Sequence, residues 1–366
     1  MKNWEAIIVG AGIIGLSLAR ELRKTGMSVL VVERGEPGRE ASWAAGGMLV
    51  DSERETPPAL QSLASASARM YPEFVRELEN ESGSKIDLRS EGTLLFLENA
   101  VTKFPPQRGQ ALATAGDGTA LQLSSPLSQL EPNLRPPAHA PMFLAERCVD
   151  PRDVTSASVA AARQVGVDFS SGDPVINVKI AAGKVAGVRT NRNTFAAATV
   201  VNCAGAWSGQ IGPHAFPTRP VKGQMLCVVM PEKNLLRHVI RTPEFYLIPR
   251  SDGRLLIGAT VEEAGFDKQT IPETIEKLRM AALALVPRLA EARTLEAWAG
   301  LRPGTPDALP ILGATPTAGY FVATGHFRDG ILLAPITAKL MAALITGSRP
   351  ALDISAFSPV RFAQGQ

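Results

Sequence analysis

The chain of 366 residues is short of the side chains that staple, ligate or stack: three cysteines, four histidines, and aromatic residues at 5% of the total. Cys148, Cys203 and Cys227 form no CxxC pair, so neither a disulfide framework nor a zinc site is expected, and a reducing cytoplasm fits. Four histidines without a triad context speak against hydrolase chemistry, and no His/Cys/Asp/Glu cluster has metal-ligand spacing. Charge of one sign is also lacking. Lys plus Arg number 38 against 35 Asp plus Glu, with no long basic run, which gives no reason to expect a nucleic-acid or membrane partner. No apolar run suits a membrane helix, and the N-terminus reaches Ala6-Ile7-Ile8-Val9 and then glycine too soon for a secretion signal.

What is present is an ordinary globular composition, 45% hydrophobic and 20% charged, on a chain longer than a comfortable single core, so two domains are expected. The first segment reads as a βαβ unit: a buried strand Ala6 to Val9, a glycine turn, a helix near Ile13 to Thr25, and a strand Ser28 to Glu33. Gly35 to Leu49 is a loop of small residues where backbone could press against a flat ligand; its plain alternative is a connector. A helix is expected over Pro57 to Glu81, bent or restarted by Pro72, and another over Asp153 to Val165 with Asp153 near its start. Ala198 to Asn202 reads as a strand closing on the turn Ala204-Gly205-Ala206. Tyr320 to Ala323 is read as a strand, followed by a loop and a helix Ile331 to Ile345 ended by Gly347.

Between these lie short apolar runs at Gly92 to Glu98, Met225 to Met230, Phe245 to Pro249 and Arg254 to Thr260, bounded by Gly, Pro and Asp like antiparallel strands. The expected architecture is α/β plus antiparallel β. A discontinuous Rossmann-like domain would be built from residues 1–85, 145–215 and 300–366, and an inserted substrate domain from 86–144 and 216–299. No tandem repeat or low-complexity tract is visible.

Gly10-Ala11-Gly12-Ile13-Ile14-Gly15 fits GxGxxG. Its first glycine serves a tight turn, the second close approach to a pyrophosphate, and Gly15 the packing of helix on strand. The helix N-terminus then offers amides and dipole to the phosphates. Alone the pattern is weak. Its place between a strand and a helix, with Glu33 ending the next strand where an acid would bind ribose hydroxyls, makes it strong, and the acid disfavours NADP. The motif does not separate FAD from NAD.

The blocks IIVGAGIIG with Glu33, ASWAAGGML, VVNCAGAWS, YLIPRSDGRLLIGAT, AGLRPGTPD and ATGHFRDGILLAP span nearly the whole chain. In order and spacing they resemble the FAD-dependent D-amino acid oxidase family, which includes the glycine oxidases of thiamine biosynthesis. The resemblance implies FAD as cofactor, lined by Ile13, Ile14, Glu33, Arg34, Ala41, Ser42, Gly46, Gly47, Met48, Val175 and the segment His326, Phe327, Arg328, Asp329, Gly330, Ile331 and Leu332. It implies that Arg302 and Tyr246 hold a substrate carboxylate with Arg328 nearby, that the substrates are a small amino acid and oxygen, and that the protein is a homo-oligomer. Two positions depart from the pattern. Asp329 stands where relatives carry Asn, and either caps the following helix, the favoured reading, or lowers the flavin potential. Glu244 stands where a relative carries His, and in a strand would share a face with Tyr246.

An arginine suits the anchoring task because a guanidinium grips a carboxylate through two parallel hydrogen bonds and so sets where Cα sits. Tyr246 adds a hydroxyl donor on an apolar stem. Without the resemblance, Arg302 reads as a turn residue and Tyr246 as a core tyrosine. Arg328 is either a solvated charge or a gate; Trp207 and Trp298 read as packing residues. The amides opening the helix near Gly330 could stabilise negative charge on a reduced ring. The reading is oxidation of glycine to an imine and glyoxylate, with oxygen reduced to hydrogen peroxide. The alternatives are a D-amino acid or sarcosine oxidase or dehydrogenase, an NAD-linked dehydrogenase, and a nucleotide-sensing protein without turnover.

Overall fold

The computed structural model describes residues 3–51, 56–97, 126–135 and 141–365; the expected strand end at Glu98 and much of the segment 86–144 lie outside them. The first strand, Trp4–Val9, shows why its sequence is apolar at every step. It lies inside a six-stranded sheet, between Val29–Glu33 on one side and Ala197–Asn202 on the other, parallel to both. Successive side chains point to opposite faces, and both faces are covered. Ala6 and Ile8 join one apolar cluster, Ile7 and Val9 another. Asp168–Ser171 extends the sheet beyond Val29–Glu33, and Tyr320–Thr324 and then Ile311–Ala314 extend it on the far side, the last pair antiparallel.

Helices cover this sheet. Ile13–Lys24 follows the first strand, and Gly330–Ile345 and Gln61–Ser82 pack with it around one core. Arg20, although buried, is held by Glu77 at 2.7 Å and by Glu81, both on the Gln61–Ser82 helix. That helix continues through Pro72 without the restart that was one of the two expected outcomes. Leu63 and Tyr71 before the proline, and Phe74, Val75 and Leu78 after it, are buried on one packed face, and such tertiary packing outweighs one lost helical hydrogen bond. The next helix starts earlier than expected, at Pro151–Gln164. Asp150 is its N-cap, accepting from the Arg152 amide at 2.9 Å, with proline in the first helical position and Asp153 in the first turn, near the start as expected.

The expected antiparallel runs belong to a seven-stranded sheet in the order Arg293–Gly304, Arg219–Val229, Arg254–Gly258, Tyr246–Pro249, Val239–Arg241, Thr93–Leu95 and Met142–Leu144. The strand Arg293–Gly304 pairs with Arg219–Val229 along its length, Arg219 opposite Gly304, with one register shift between Cys227 and Val228. A division at 299/300 therefore falls inside one strand, whose ladder hydrogen bonds carry the sheet to Gly304.

Arg250, with no exposure to solvent, ties the end of Tyr246–Pro249 in the seven-stranded sheet to the Gly46 loop and to Arg147–Val149, the middle strand of a small sheet with Met48–Leu49 and Leu88–Arg89. Its guanidinium donates to the Gly46 carbonyl at 2.7 Å and the Val149 carbonyl at 3.1 Å, and lies 3.7 Å from the Asp150 carboxylate. Arg250→Met is expected to lower the unfolding free energy by about 3 kcal/mol, because buried carbonyls lose charged donors. Urea denaturation of the variant beside the parent checks this, and an unchanged midpoint would show that the Gly46 turn holds without it.

Candidate active site and cofactor cleft

A cavity of about 950 Å³ starts at the carboxyl ends of the parallel strands and runs to the seven-stranded sheet, the place where open α/β sheets bind ligands. Its first part is the glycine motif. Gly10 has φ +105°, and a Cβ there would come within 2.6 Å of the Cys203 carbonyl oxygen; a Cβ on Gly15 would meet the Gly10 carbonyl oxygen at 2.1 Å. Bare backbone lets strand, helix and ligand approach one another. Gly12 is the N-cap of Ile13–Lys24 and offers no side-chain cap. The Ile13 amide donates to the Ser42 hydroxyl at 2.9 Å, which joins the small-residue loop to the motif. Glu33 is buried and accepts from the Ala11 amide at 2.8 Å and the Gly35 amide at 2.9 Å, so its carboxylate is held at the cleft.

Of the expected cofactor residues, Gly10, Gly12, Ile13, Ile14, Glu33, Arg34, Ala41, Ser42, Gly46, Gly47, Met48 and Val175 line the cavity, as do His326 to Ile331. Gly15 and Leu332 do not. Gly15 is buried against the first strand's end, and Leu332 is in the core, its carbonyl accepting from Ser67. Arg34 is exposed and sits over the Trp207 ring at 4.2 Å. Trp207, read as a packing residue, is also part of the cavity wall and packs on Phe266. Trp298 is a packing residue, with its indole donating to the Ala44 carbonyl.

The far wall includes the segment before the helix Gly330–Ile345. Phe327 has φ +49° and its amide donates to the Pro303 carbonyl at 3.1 Å, a left-handed conformation held by its surroundings. Buried His326 lies 3.1 Å from the Thr337 hydroxyl, and burial pushes its imidazole down to about 3, leaving it neutral. Asp329 is in the N-cap position, as expected, but its side chain makes no capping bond; its carbonyl accepts from the Leu333 amide. Arg328 is exposed at the cavity edge, 5.2 Å from the Phe327 ring.

At the seven-stranded sheet the cavity meets Arg302, Tyr246 and Met225. Arg302 is half-buried in a strand, not in a turn, opposite Val221. Its Nη1 donates to the Thr260 carbonyl at 3.1 Å and the Lys222 carbonyl at 3.4 Å. The guanidinium lies on Gly223, where a Cβ would fall 2.4 Å from both terminal nitrogens. The Tyr246 hydroxyl donates to the Met225 sulfur at 3.6 Å. Burial raises the phenol, while the Arg302 and Arg328 charges act in the opposite direction; it stays a proton donor. Glu244 precedes the strand in a turn held by Thr242, whose hydroxyl accepts from the Phe245 amide at 3.1 Å and donates to the Glu244 carboxylate at 3.2 Å. It lines the cavity with Tyr246, and burial raises its carboxyl despite the Thr242 hydrogen bond. Sequence reasoning missed Gly223, Met225 and the Thr260 carbonyl, which carry no motif of their own.

These features fit FAD. A bare-backbone turn, a helix N-terminus and a held acid stand at one end of the cleft, and a helix opening, small residues and a half-buried arginine at the other. Among the described residues no group of three His, Cys, Asp or Glu could hold a metal, and no helix is long and apolar enough to cross a membrane.

Residues 5–344 match the family model described as FAD dependent oxidoreductase. The glycine oxidase of Pseudomonas aeruginosa is 34% identical over 363 residues, covering 96% of this chain and 98% of that protein. The hydrogen cyanide synthase subunit HcnC of Pseudomonas protegens is 32% identical, covering 99% and 97%. The crystal structure of glycine oxidase from Geobacillus kaustophilus superposes with a TM-score of 0.87 at 30% identity, covering 99% of each chain. With its glycine motif, held acid and cleft in place, the chain belongs to the family of FAD-dependent oxidoreductases.

Proposed function

We propose that this enzyme oxidises glycine, with oxygen as electron acceptor, and that its product imine either hydrolyses to glyoxylate or enters thiazole synthesis for thiamine. The observation that carries the reading is the Arg302 guanidinium, half-buried on the bare backbone of Gly223 and beside Tyr246 in the wall of the cofactor cleft. A small zwitterion presents one carboxylate to such a fork, and two parallel hydrogen bonds would set the direction of its Cα. FAD, held by the glycine motif, Glu33 and the 41–48 loop, would supply the two-electron acceptor for the Cα hydrogen and its electron pair. The amine nitrogen loses a proton as the C=N bond forms, and oxygen takes up two electrons and two protons to give hydrogen peroxide.

The chain's own residues then have separate tasks. Arg302 and Tyr246 bind and orient the carboxylate, Arg328 closes the edge of the cavity, and the amides at the start of the Gly330–Ile345 helix face the charge that reduction brings. Ala41, Ser42, Gly46, Gly47 and Met48, which line the cavity, would cover the cofactor with small or flexible groups. The relatives named glycine oxidase support glycine as substrate. The relative named as a hydrogen cyanide synthase subunit favours a second reading, in which the same site passes electrons to an acceptor other than oxygen. Sarcosine and small D-amino acids present the same carboxylate and amine, and are the competing substrates.

The first expected outcome is spectral. Purified protein is yellow, loses its visible flavin absorbance when glycine is added without air, and consumes oxygen when air is admitted. Bleaching by sarcosine or D-alanine alone would change the substrate, bleaching without oxygen consumption would favour the second reading, and colourless protein that does not take up FAD would overturn the assignment. The second concerns the anchor. Arg302→Leu is expected to lower kcat/KM for glycine by about a hundredfold or more, with Arg302→Lys falling in between, since a charge-assisted bidentate pair is lost. Steady-state kinetics at matched FAD occupancy check this, and equal rates for the parent and Arg302→Leu would remove Arg302 from the site.

A further inference from the structure

Lys222 is the least expected residue of the seven-stranded sheet. Its side chain is 1% exposed, within the strand Arg219–Val229, and its ammonium reaches the Asp267 carboxylate at 3.0 Å, a partner that is itself half-exposed. A lysine is rarely buried to this degree, and an apolar side chain of similar length would fill the volume without the cost of desolvating a charge. Stability is therefore a poor reason for its presence. Its geometry offers a better one.

The segment from Thr260 to Ile271 folds back over the strand that contains Lys222. The Lys222 amide donates to the Glu262 carbonyl and the Glu262 amide to the Lys222 carbonyl, each at 2.9 Å. Gln224, with no exposure, holds the same segment at two more points: its side chain donates to the Glu262 carboxylate at 2.8 Å and accepts from the Ile271 amide at 2.7 Å. The segment begins at the Thr260 carbonyl, the closer of the two carbonyls that accept from Arg302 Nη1. Its other side leans on the cofactor half of the molecule, with Phe266 5.2 Å from the Trp207 ring and Lys268 3.0 Å from Glu40.

We infer that the Lys222–Asp267 ion pair is a positioning device for Arg302, pinning the 260–267 segment so that the Thr260 and Lys222 carbonyls hold the guanidinium flat on Gly223, aimed at the carboxylate of the substrate. Lys222 and Asp267 are thus positioning residues. The inference rests on the reading of Arg302 as the carboxylate anchor. The Gln269 amide and then the Lys222 ammonium hold the Asp267 carboxyl below its ordinary range, so Asp267 is a carboxylate at neutral pH.

The test uses the FAD-loaded enzyme, with glycolate as a carboxylate probe followed by perturbation of the flavin spectrum, together with glycine kinetics, FAD retention and thermal melting. Lys222→Met and Asp267→Asn are each expected to weaken glycolate binding and raise KM for glycine about tenfold, with smaller changes in kcat and with FAD retained. Asp267→Glu should restore binding to within about twofold of the parent, since it keeps the charge. Lys222→Met should not lower the melting temperature, because an apolar side chain replaces a buried ion. Should that variant fail to fold, Asp267→Asn at its half-exposed site reads the same step. A lower melting temperature with unchanged glycolate affinity would overturn the inference and make the pair purely structural. Arg302→Leu is measured in parallel. If it abolishes glycolate binding while the two pin variants bind normally, the pin is refuted and the anchor stands; if it too binds normally, both readings fall.

Discussion

A guanidinium without solvent contact, that of Arg250, is the interaction on which the two halves of the molecule depend. It leaves the end of the strand Tyr246–Pro249 and donates to the carbonyls of Gly46 and Val149, next to the Asp150 carboxylate. Asp150 in turn caps the helix Pro151–Gln164 and pairs with Arg254 at 2.8 Å. One buried charge therefore sets the height of the Gly46–Gly47 turn above the cofactor cleft and relates it to the strand that begins with Tyr246. A buried charge is tolerated only where its donors find partners, and here the arginine comes from one half and its partners from the other.

The cleft itself is built largely by leaving side chains out. Gly10 and Gly15 let the first strand and its helix meet, Gly46 lies where a Cβ would press on Ile248 at 2.8 Å, and Gly223 is the floor beneath Arg302. Against this bare backbone stand a few polar groups held by short networks: Glu33 by two amides, Tyr246 by Met225, Arg302 by two carbonyls. Each group is oriented before any ligand arrives, which is the condition under which hydrogen bonds and charges discriminate in a site that excludes water.

The parallel half was the more legible part of the chain. Apolar strands buried on both faces, a glycine motif at a strand-to-helix turn and an acid ending the next strand report local requirements, and these hold wherever the unit sits. The antiparallel strands were also visible, although their ends were less so: the strand at Met225 starts six residues earlier, at Arg219, and the strand Arg293–Gly304 runs through the position read as a boundary. The small sheet of Val175–Ala181, Lys184–Thr190 and Thr194–Phe195 escaped notice. Its hairpin turns on Ala182 and Gly183, both at positive φ, and alanine is a poor signal for a turn that usually advertises itself with asparagine or aspartate.

By itself the sequence determined the βαβ cofactor unit, the acid at Glu33, the division into parallel and antiparallel parts and, through its block resemblance, the family. It also placed Arg302 and Tyr246 in one site, but as a resemblance, since GLRPG alone reads as a turn. Only the tertiary structure decided that Arg302 lies in a strand on Gly223, that the Thr260 and Lys222 carbonyls accept from it, that Asp150 caps the helix Pro151–Gln164, and that Leu332 belongs to the core instead of the cleft. The reason is physical. Periodicity and turn chemistry are written in neighbouring residues, whereas the aim of a side chain is set by carbonyls and bare backbone from strands that are distant in sequence.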